Sequence, residues 1–439
     1  MIPRYAAAQM QALWSDANRF RTWLRVEIAS AAAWEARGVV PQGASARLQE
    51  RAPSIDFQAL ALRAEEIEKT TQHDVIAFLS AVEEALGDDA RHLHFGMTSS
   101  DVVDTAFALL LQEAAARIDE ALVGLLEALK ARALEHKMTA CLGRTHGQAA
   151  EPTTFGLKLL SLYAELQRGR QRLHAARDEV GTGKISGAVG NYGHIPPEIE
   201  KHTLDLLGLR VEPIATQVVP RDRHAMYFST LAVIGGAVER LAIEIRHLQR
   251  SEVKEAFEPF GQGQRGSSAM PHKKNPILSE NLTGLARVLR AYAGASLEDI
   301  GLWHERDISH SSVERMIAPD ATTTLHFALT RATRLVSGLV VDAEAMKRNL
   351  ALAGEVVSSG AILLALVEKG VMRQEAYGWV QRCALGGGDF RGKLKNDIDV
   401  SKYLDAATVD DLCSLGRQLQ HVDTIFARVL NAPGLPRVV

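Results

Sequence analysis

The chain has 439 residues, 46% hydrophobic and 23% charged, an ordinary balance for a globular protein and a length that suggests two or three domains. Fifty Lys and Arg against 53 Asp and Glu leave a net charge of −3, which argues against a nucleic-acid partner because no basic excess exists to neutralise phosphates. A small anionic substrate needs only a local cluster of cations and stays open.

Cys141, Cys383 and Cys413 are scattered and form no CxxC pair, so neither a disulfide framework nor a zinc site is expected. The opening MIPRYAAAQM has no apolar stretch behind Arg4, and the uncharged run Val356–Val367 is too short to span a bilayer. A cytoplasmic chain with no membrane partner is expected.

Proline placement organises the rest. None occurs between Pro53 and Pro152, between Pro220 and Pro259, or between Pro319 and Pro433, and long proline-free intervals permit long helices. From Val102 to Leu134, Val103, Phe107, Leu110, Leu111, Ile118, Leu122, Leu125 and Leu129 recur at helical steps. Thr98 to Asp101 supply several candidate N-caps. Such a helix runs about 50 Å at 1.5 Å per residue. Further long patterns run over about 155–179, 222–257 and 320–352, and Arg210–Val219 predicts a short strand pair at most. Helices this long need an extended partner surface, which copies of the same chain supply. The expected fold is all-α, an elongated central bundle of long helices flanked by two smaller helical domains. Cuts near Phe95 and Ala345 give domains 1–95, 96–345 and 346–439. Gly386-Gly387-Gly388 reads as a flexible loop.

Two tempting motifs fail on context. Gly261-Gln-Gly-Gln-Arg-Gly266 fits GxGxxG, but that fingerprint works only between a strand and a helix. Here Glu258-Pro259 precedes it and Pro271 interrupts the far side. His304-Glu305 begins like HExxH, yet Ile308 stands in place of the second histidine.

The informative segment is Gly266-Ser-Ser-Ala-Met-Pro-His-Lys-Lys-Asn-Pro276. By composition alone it is a solvated loop. It resembles the signature loop of the fumarase/aspartase superfamily, GSSxMPxKxNP, and Arg144-Thr-His-Gly-Gln148 and His94-Phe-Gly-Met-Thr-Ser99 resemble that superfamily's other two site motifs. Thr71-Gln-His-Asp74, Gly183–Gly190, Arg221–His224 and Leu302–Ser312 resemble one branch in particular, whose members remove fumarate from a succinylated purine nucleotide. The similarity runs from Arg4-Tyr5 to about Ala427. Lys274 stands where that branch more often has arginine, and the triple glycine is foreign to its C-terminal domain. The nearest alternatives are sister branches, the argininosuccinate lyases and carboxymuconate cycloisomerases, against which Leu302–Arg315 argues. A crystallin-like structural relative is disfavoured by intact Ser267, His146 and Lys273.

The resemblance implies a β-elimination. From the residues alone His146 is the obvious base; the resemblance implies instead that Ser267 takes the carbon proton while His146 protonates the departing nitrogen. Arg265, Lys273 and Lys274 are near enough in sequence to favour the serine alkoxide. Lys273 and Asn275 then stabilise the substrate carboxylates, with Ser268 beside them, and Glu280 orients His146 or a neighbour. Thr98 and Ser99 offer donors near a helix N-terminus. Gln72, His73, Asp74 and His94 are expected to line the pocket. Arg4, Tyr5, Gln217, Arg306, Ser311 and Arg315 match nucleotide-binding positions. No metal cluster or cofactor motif is found, and the reaction requires neither. The resemblance also implies a homotetramer whose sites draw on different subunits, and a second substrate, the succinylated carboxamide ribotide of purine synthesis.

Overall fold

The proline-free intervals become long helices. In chain order the elements that matter are α1 (Asp16–Ala36), α2 (Phe57–Thr71), α3 (Asp74–Leu86), α4 (Ser99–Glu135), the strands β1 (Ala140–Thr145) and β2 (Gln148–Thr154), α5 (Phe155–Val180), α6 (Asp222–Leu248), α7 (Ile277–Glu298) and α8 (Ser309–Ser337). The computed structural model describes residues 2–261, 263–385 and 387–431; Gln262 of the GxGxxG stretch and Gly386 of the triple glycine lie outside the described residues, as do residues 432–439. The fold is all-α, and among the described residues strands occur only in three two-stranded ladders.

The 37 residues of α4 are long for a physical reason. Leu111, Ala114, Ala115, Ile118, Leu122, Leu125, Leu126 and Leu129 are fully buried, a three-and-four spacing that keeps one apolar face against neighbours along its length. Its start is capped from within: the Thr98 amide donates to Oδ2 of Asp101 at 2.8 Å, one half of a capping box.

Elsewhere the helices depart from expectation. The α6 helix stops at Leu248, because the chain turns through Lys254 (φ 52°) and enters a short strand, Ala256–Phe257, paired antiparallel with Val340–Val341. That ladder also divides the pattern over 320–352 into the end of α8 and a separate helix, Ala343–Leu352. The α8 helix begins ahead of Pro319 and contains it. The α7 helix lay outside the predicted set. So did the β1–β2 hairpin, the longest ladder present, while Arg210–Val211 pairs in parallel with Thr182–Gly183 rather than within its own segment.

The chain divides into two compact units, one of Met1–Leu122, Arg168–Val238 and Gly284–Thr330, the other of Val123–Gln167, Glu239–Thr283 and Arg331–Val439. In the first unit Phe20 stacks on Phe78 and Trp23 meets both edge-on, at centroid distances of 5.2–5.4 Å, within a core that includes Leu24, Val82, Val102 and Ile199. In the second, Ile362, Leu366, Phe390, Leu394, Val400 and Val409 form a core of their own.

A cluster of charges lies inside the first unit. The Arg221 guanidinium donates to both carboxylate oxygens of Asp104, at 2.6 and 2.9 Å, and to Oε2 of Glu314 at 3.1 Å. His224 and His310 each place Nδ1 3.0 Å from the same Glu314 carboxylate, and the Val219 amide donates to Asp104. Burial pushes the Asp104 carboxyl up, but Arg221 outweighs it and the net displacement is downward. Glu314 is held well below its usual range, burial being overcome by Arg221 and the two histidines.

Removing one partner of such a cluster leaves a charge buried and uncompensated, at a cost of about 3–5 kcal/mol. Asp104→Asn is therefore expected to lower unfolding stability by about that amount at neutral pH. Because the folded-state pKa of Asp104 is depressed, its contribution is complete above the unfolded value of about 4 and is lost as pH falls towards the folded value. Denaturant unfolding should show a gap between parent and variant that is constant from about pH 6 to 8 and narrows below about pH 4. Equal stability at pH 7 would show that the cluster does not hold this unit together.

Candidate active site

The first unit carries most of the polar residues singled out by sequence. Gln72 adopts a left-handed φ of 50° between α2 and α3, and its Nε2 donates to the Lys69 carbonyl. The turn places His73 at the N-cap of α3, where Nδ1 accepts from the Ile76 amide at 3.4 Å and Nε2 lies 3.4 Å from Oγ of Ser99. Thr98 and Ser99 open α4, where unpaired amides and the helix dipole favour an anion. His94, at φ 58°, is fixed twice by the fully buried Glu27: its amide donates at 2.6 Å and its Nδ1 lies 2.8 Å away. Burial opposes protonation of His94, but the Glu27 bond and charge prevail and its pKa is raised.

Arg306, Ser311 and Arg315 line one cavity of about 230 Å³, together with Arg19, Trp14, Trp23 and Phe107. Ser311 and Arg315 are one turn apart on α8 and share a face. The Arg306 side chain donates from Nη1 to Oε1 of Gln217 at 3.1 Å. Arg315 pairs with Asp74 at the start of α3. Arg19 was missed by sequence reasoning. It is paired with Asp16 at 2.9 Å; burial lowers its pKa and the nearby Arg315 charge adds to that against Asp16. The only signal for it was an arginine between two aromatic residues that prove to line or border the cavity. Two arginines and a hydroxyl around one cavity suit a phosphate dianion. Arg4 and Tyr5 are not brought there. They form a separate turn, Pro3–Tyr5, with Tyr5 5.0 Å from the Phe327 ring and lining another cavity with Tyr292 and Asp320.

The second unit holds the acid–base candidates. His146 and Gly147 form the two-residue tip of the β1–β2 hairpin, with φ of 54° and 76° and Thr145 opposite Gln148. Two positive φ values in succession are those of the turn that best matches strand twist, so the histidine projects from a tight, exposed corner. Behind it Arg144 donates to both oxygens of Glu255, at 3.2 and 2.7 Å. Glu255 is fully buried and also accepts from Asn349 at 2.8 Å.

On the signature loop, Oγ of Ser267 accepts from the backbone amides of Ala269 and Met270, at 3.3 and 3.2 Å. Gly266 is obligatory by geometry: a Cβ there would lie 2.2 Å from the Lys273 carbonyl oxygen, so the loop closes on itself at that point. Ser268 and Lys273 are exposed and Asn275 is half-buried. Lys274 lies over the Phe260 ring at 5.0 Å. The loop ends at α7, whose first amides, of Leu278 and Ser279, donate to Glu258 at 3.0 and 2.6 Å. Glu280 is exposed in the first turn of α7.

Comparison with known proteins gives the family. A lyase family model matches residues 4–290, and a model of the adenylosuccinate lyase C-terminus matches residues 355–429. Adenylosuccinate lyases from Thermotoga maritima, Aquifex aeolicus and Bacillus subtilis are 49%, 47% and 46% identical, each over 98% of this chain and 99% of theirs. Among solved structures, a 3-carboxy-cis,cis-muconate lactonizing enzyme from Pseudomonas putida aligns with a TM-score of 0.83 at 28% identity, covering 97% of this chain and 96% of that one. A fumarate lyase from Mesorhizobium aligns with a TM-score of 0.86 over 98% of this chain and 100% of its own, at 24% identity. With close to half its residues identical over nearly the whole length, and both family models matched in chain order, the chain belongs to the adenylosuccinate lyase family.

Proposed function

We propose that the chain splits adenylosuccinate into AMP and fumarate by β-elimination, and acts likewise on the succinylated carboxamide ribotide. The observation that carries this reading is the cavity where Arg306, Ser311 and Arg315 converge, in the unit that also holds Thr98 and Ser99. A sister lyase acting on a phosphate-free acid has no use for that group. In the reaction a base removes the proton from carbon next to a carboxylate, the electron pair forms the double bond of fumarate, and the C–N bond breaks. The nitrogen left on the purine then takes a proton. Ser267 is the base and His146 the acid. What supports the serine is its Oγ, which accepts two backbone N–H bonds: these favour the alkoxide over the alcohol. The Lys273 charge on the same loop acts in the same direction.

Negative charge builds on the carboxylate between the two steps, and Lys273 and Asn275 are placed by sequence on the loop that would meet it. Thr98 and Ser99 hold the other carboxylate at the α4 N-terminus. The sites belong to a homotetramer and draw on different copies. Support comes from α6, where Met226, Val233 and Ile243 are exposed, and from α7, where Val288 and Leu297 are exposed. Apolar side chains repeated along long helices are covered in a stable assembly.

Purified protein should remove adenylosuccinate, followed by absorbance, while leaving argininosuccinate and carboxymuconate untouched. Turnover of either of those without adenylosuccinate would place the chain in a sister branch. Ser267→Ala should lower kcat by at least about a thousand-fold while equilibrium binding of substrate persists. Near-normal kcat in that variant would return the base role to a histidine.

A further inference from the structure

His310 is 3% exposed, and no step of the elimination uses it. It lies in the first turn of α8, between the buried ion pairs and Arg306, and its two ring nitrogens face different partners. Nδ1 is 3.0 Å from Oε2 of Glu314 and 3.1 Å from Nη2 of Arg221. Nε2 is 3.3 Å from Nε of Arg306.

These contacts select one tautomer. An arginine N–H can only donate, so Nε2 must carry a lone pair to accept from Arg306. The ring proton then sits on Nδ1, where Glu314 accepts it. The Nδ1–H form leaves Nη2 of Arg221 facing that proton at 3.1 Å, but Nη2 has Asp104 Oδ1 at 2.9 Å and Glu314 Oε2 at 3.1 Å as acceptors for its own two protons. The opposite tautomer would set N–H against N–H at Arg306 and a lone pair against a carboxylate at Glu314. Arg306 is consequently held at two points, Nε by His310 and Nη1 by Gln217. Three N–H groups, one on Nη1 and two on Nη2, are left for a ligand.

We propose that His310 is a positioning residue for phosphate recognition. In its Nδ1–H form it carries the fixed geometry of the Asp104–Arg221–Glu314 cluster to the Arg306 guanidinium, so that the substrate phosphate meets a donor already oriented. Preorganisation of this kind improves binding by removing the ordering cost from the binding step. The proposal rests on Arg306 being a phosphate ligand, and its test separates the two claims.

His310→Asn keeps an amide N–H for Glu314 but has nothing to offer Arg306. Its KM for adenylosuccinate should rise roughly ten-fold, equivalent to about 1.4 kcal/mol, with kcat changed less than about two-fold. His310→Gln, which can place an amide oxygen near the lost Nε2, should recover most of that KM. With succinyladenosine, which lacks the phosphate, kcat/KM of His310→Asn should equal that of the parent. Adding His310→Asn to Arg306→Ala should cost nothing further, because the histidine acts only through the arginine. Additive losses in the double variant, or an equal loss on succinyladenosine, would mean that His310 merely supports packing and would overturn the proposal. So would a normal KM in His310→Asn beside an impaired Arg306→Ala. If Arg306→Ala itself has a normal KM for adenylosuccinate, the phosphate assignment falls and the positioning role falls with it. Should His310→Asn not fold, His310→Gln decides: a KM near the parent value supports the proposal, and a ten-fold rise overturns it.

Discussion

Asp104, Arg221 and Glu314 bring three full charges together where almost no water reaches. Each comes from a different segment, the start of α4, the loop before α6 and the second turn of α8, so one guanidinium fixes three parts of the chain that are remote in sequence. Dispersion between apolar faces tolerates small slips; a bidentate ion pair in low dielectric does not, because any misalignment leaves a desolvated charge short of its partner. Three of the residues around the cavity, Arg306, Ser311 and Arg315, stand on or just before one of these segments, α8. Ser311 and Arg315 flank Glu314 on α8, and Arg306 is one turn before His310. The cluster does little chemistry itself. It fixes the segment on which Ser311 and Arg315 stand.

The second unit uses an equivalent device for the two residues proposed as acid and base. Within four residues, Glu255 holds the arm of the His146 hairpin through Arg144, and Glu258 holds the first amides of α7, where the signature loop ends. Gln249 adds a tie, accepting from the Glu258 amide and donating to the Lys274 carbonyl. His146 and Ser267 are both exposed enough to meet a substrate, yet each is tethered to the same short, mostly buried stretch. Precision at each tip comes from rigidity at the base.

Much of this was legible in the sequence. The apolar spacing of α4 placed its ends to within three residues, and that of α5 to within one, because nothing competes with a wide buried face. The loop and its companions were legible only through resemblance, since glycine, serine and lysine in a loop carry no chemistry by composition. The ladder of Ala256–Phe257 with Val340–Val341 was hidden because its strands are two residues each and lie 84 residues or so apart, beyond any local pattern. The α8 helix was cut short in prediction because Pro319 is costly in a helix interior, and here tertiary packing on both sides overrides that cost. Least legible was the buried charge cluster. Asp104 and Arg221 are separated by 117 positions and Arg221 and Glu314 by 93, so only the fold reveals that they meet. The available hint was an aspartate on an otherwise apolar helical face.

We propose that the nucleotide phosphate is read by Arg306, Ser311 and Arg315 within one copy of the chain, while the loop serine reaches the same site from another. A crystal structure with AMP and fumarate bound tests it most directly. Phosphate oxygens are expected within hydrogen-bonding distance, about 2.7–3.2 Å, of Arg306, Ser311 and Arg315, with fumarate between Thr98 and Ser99 of one copy and Lys273 and Asn275 of a second. A phosphate seated instead on the Gly261–Gly266 loop, or a complete site built from a single copy, would contradict it.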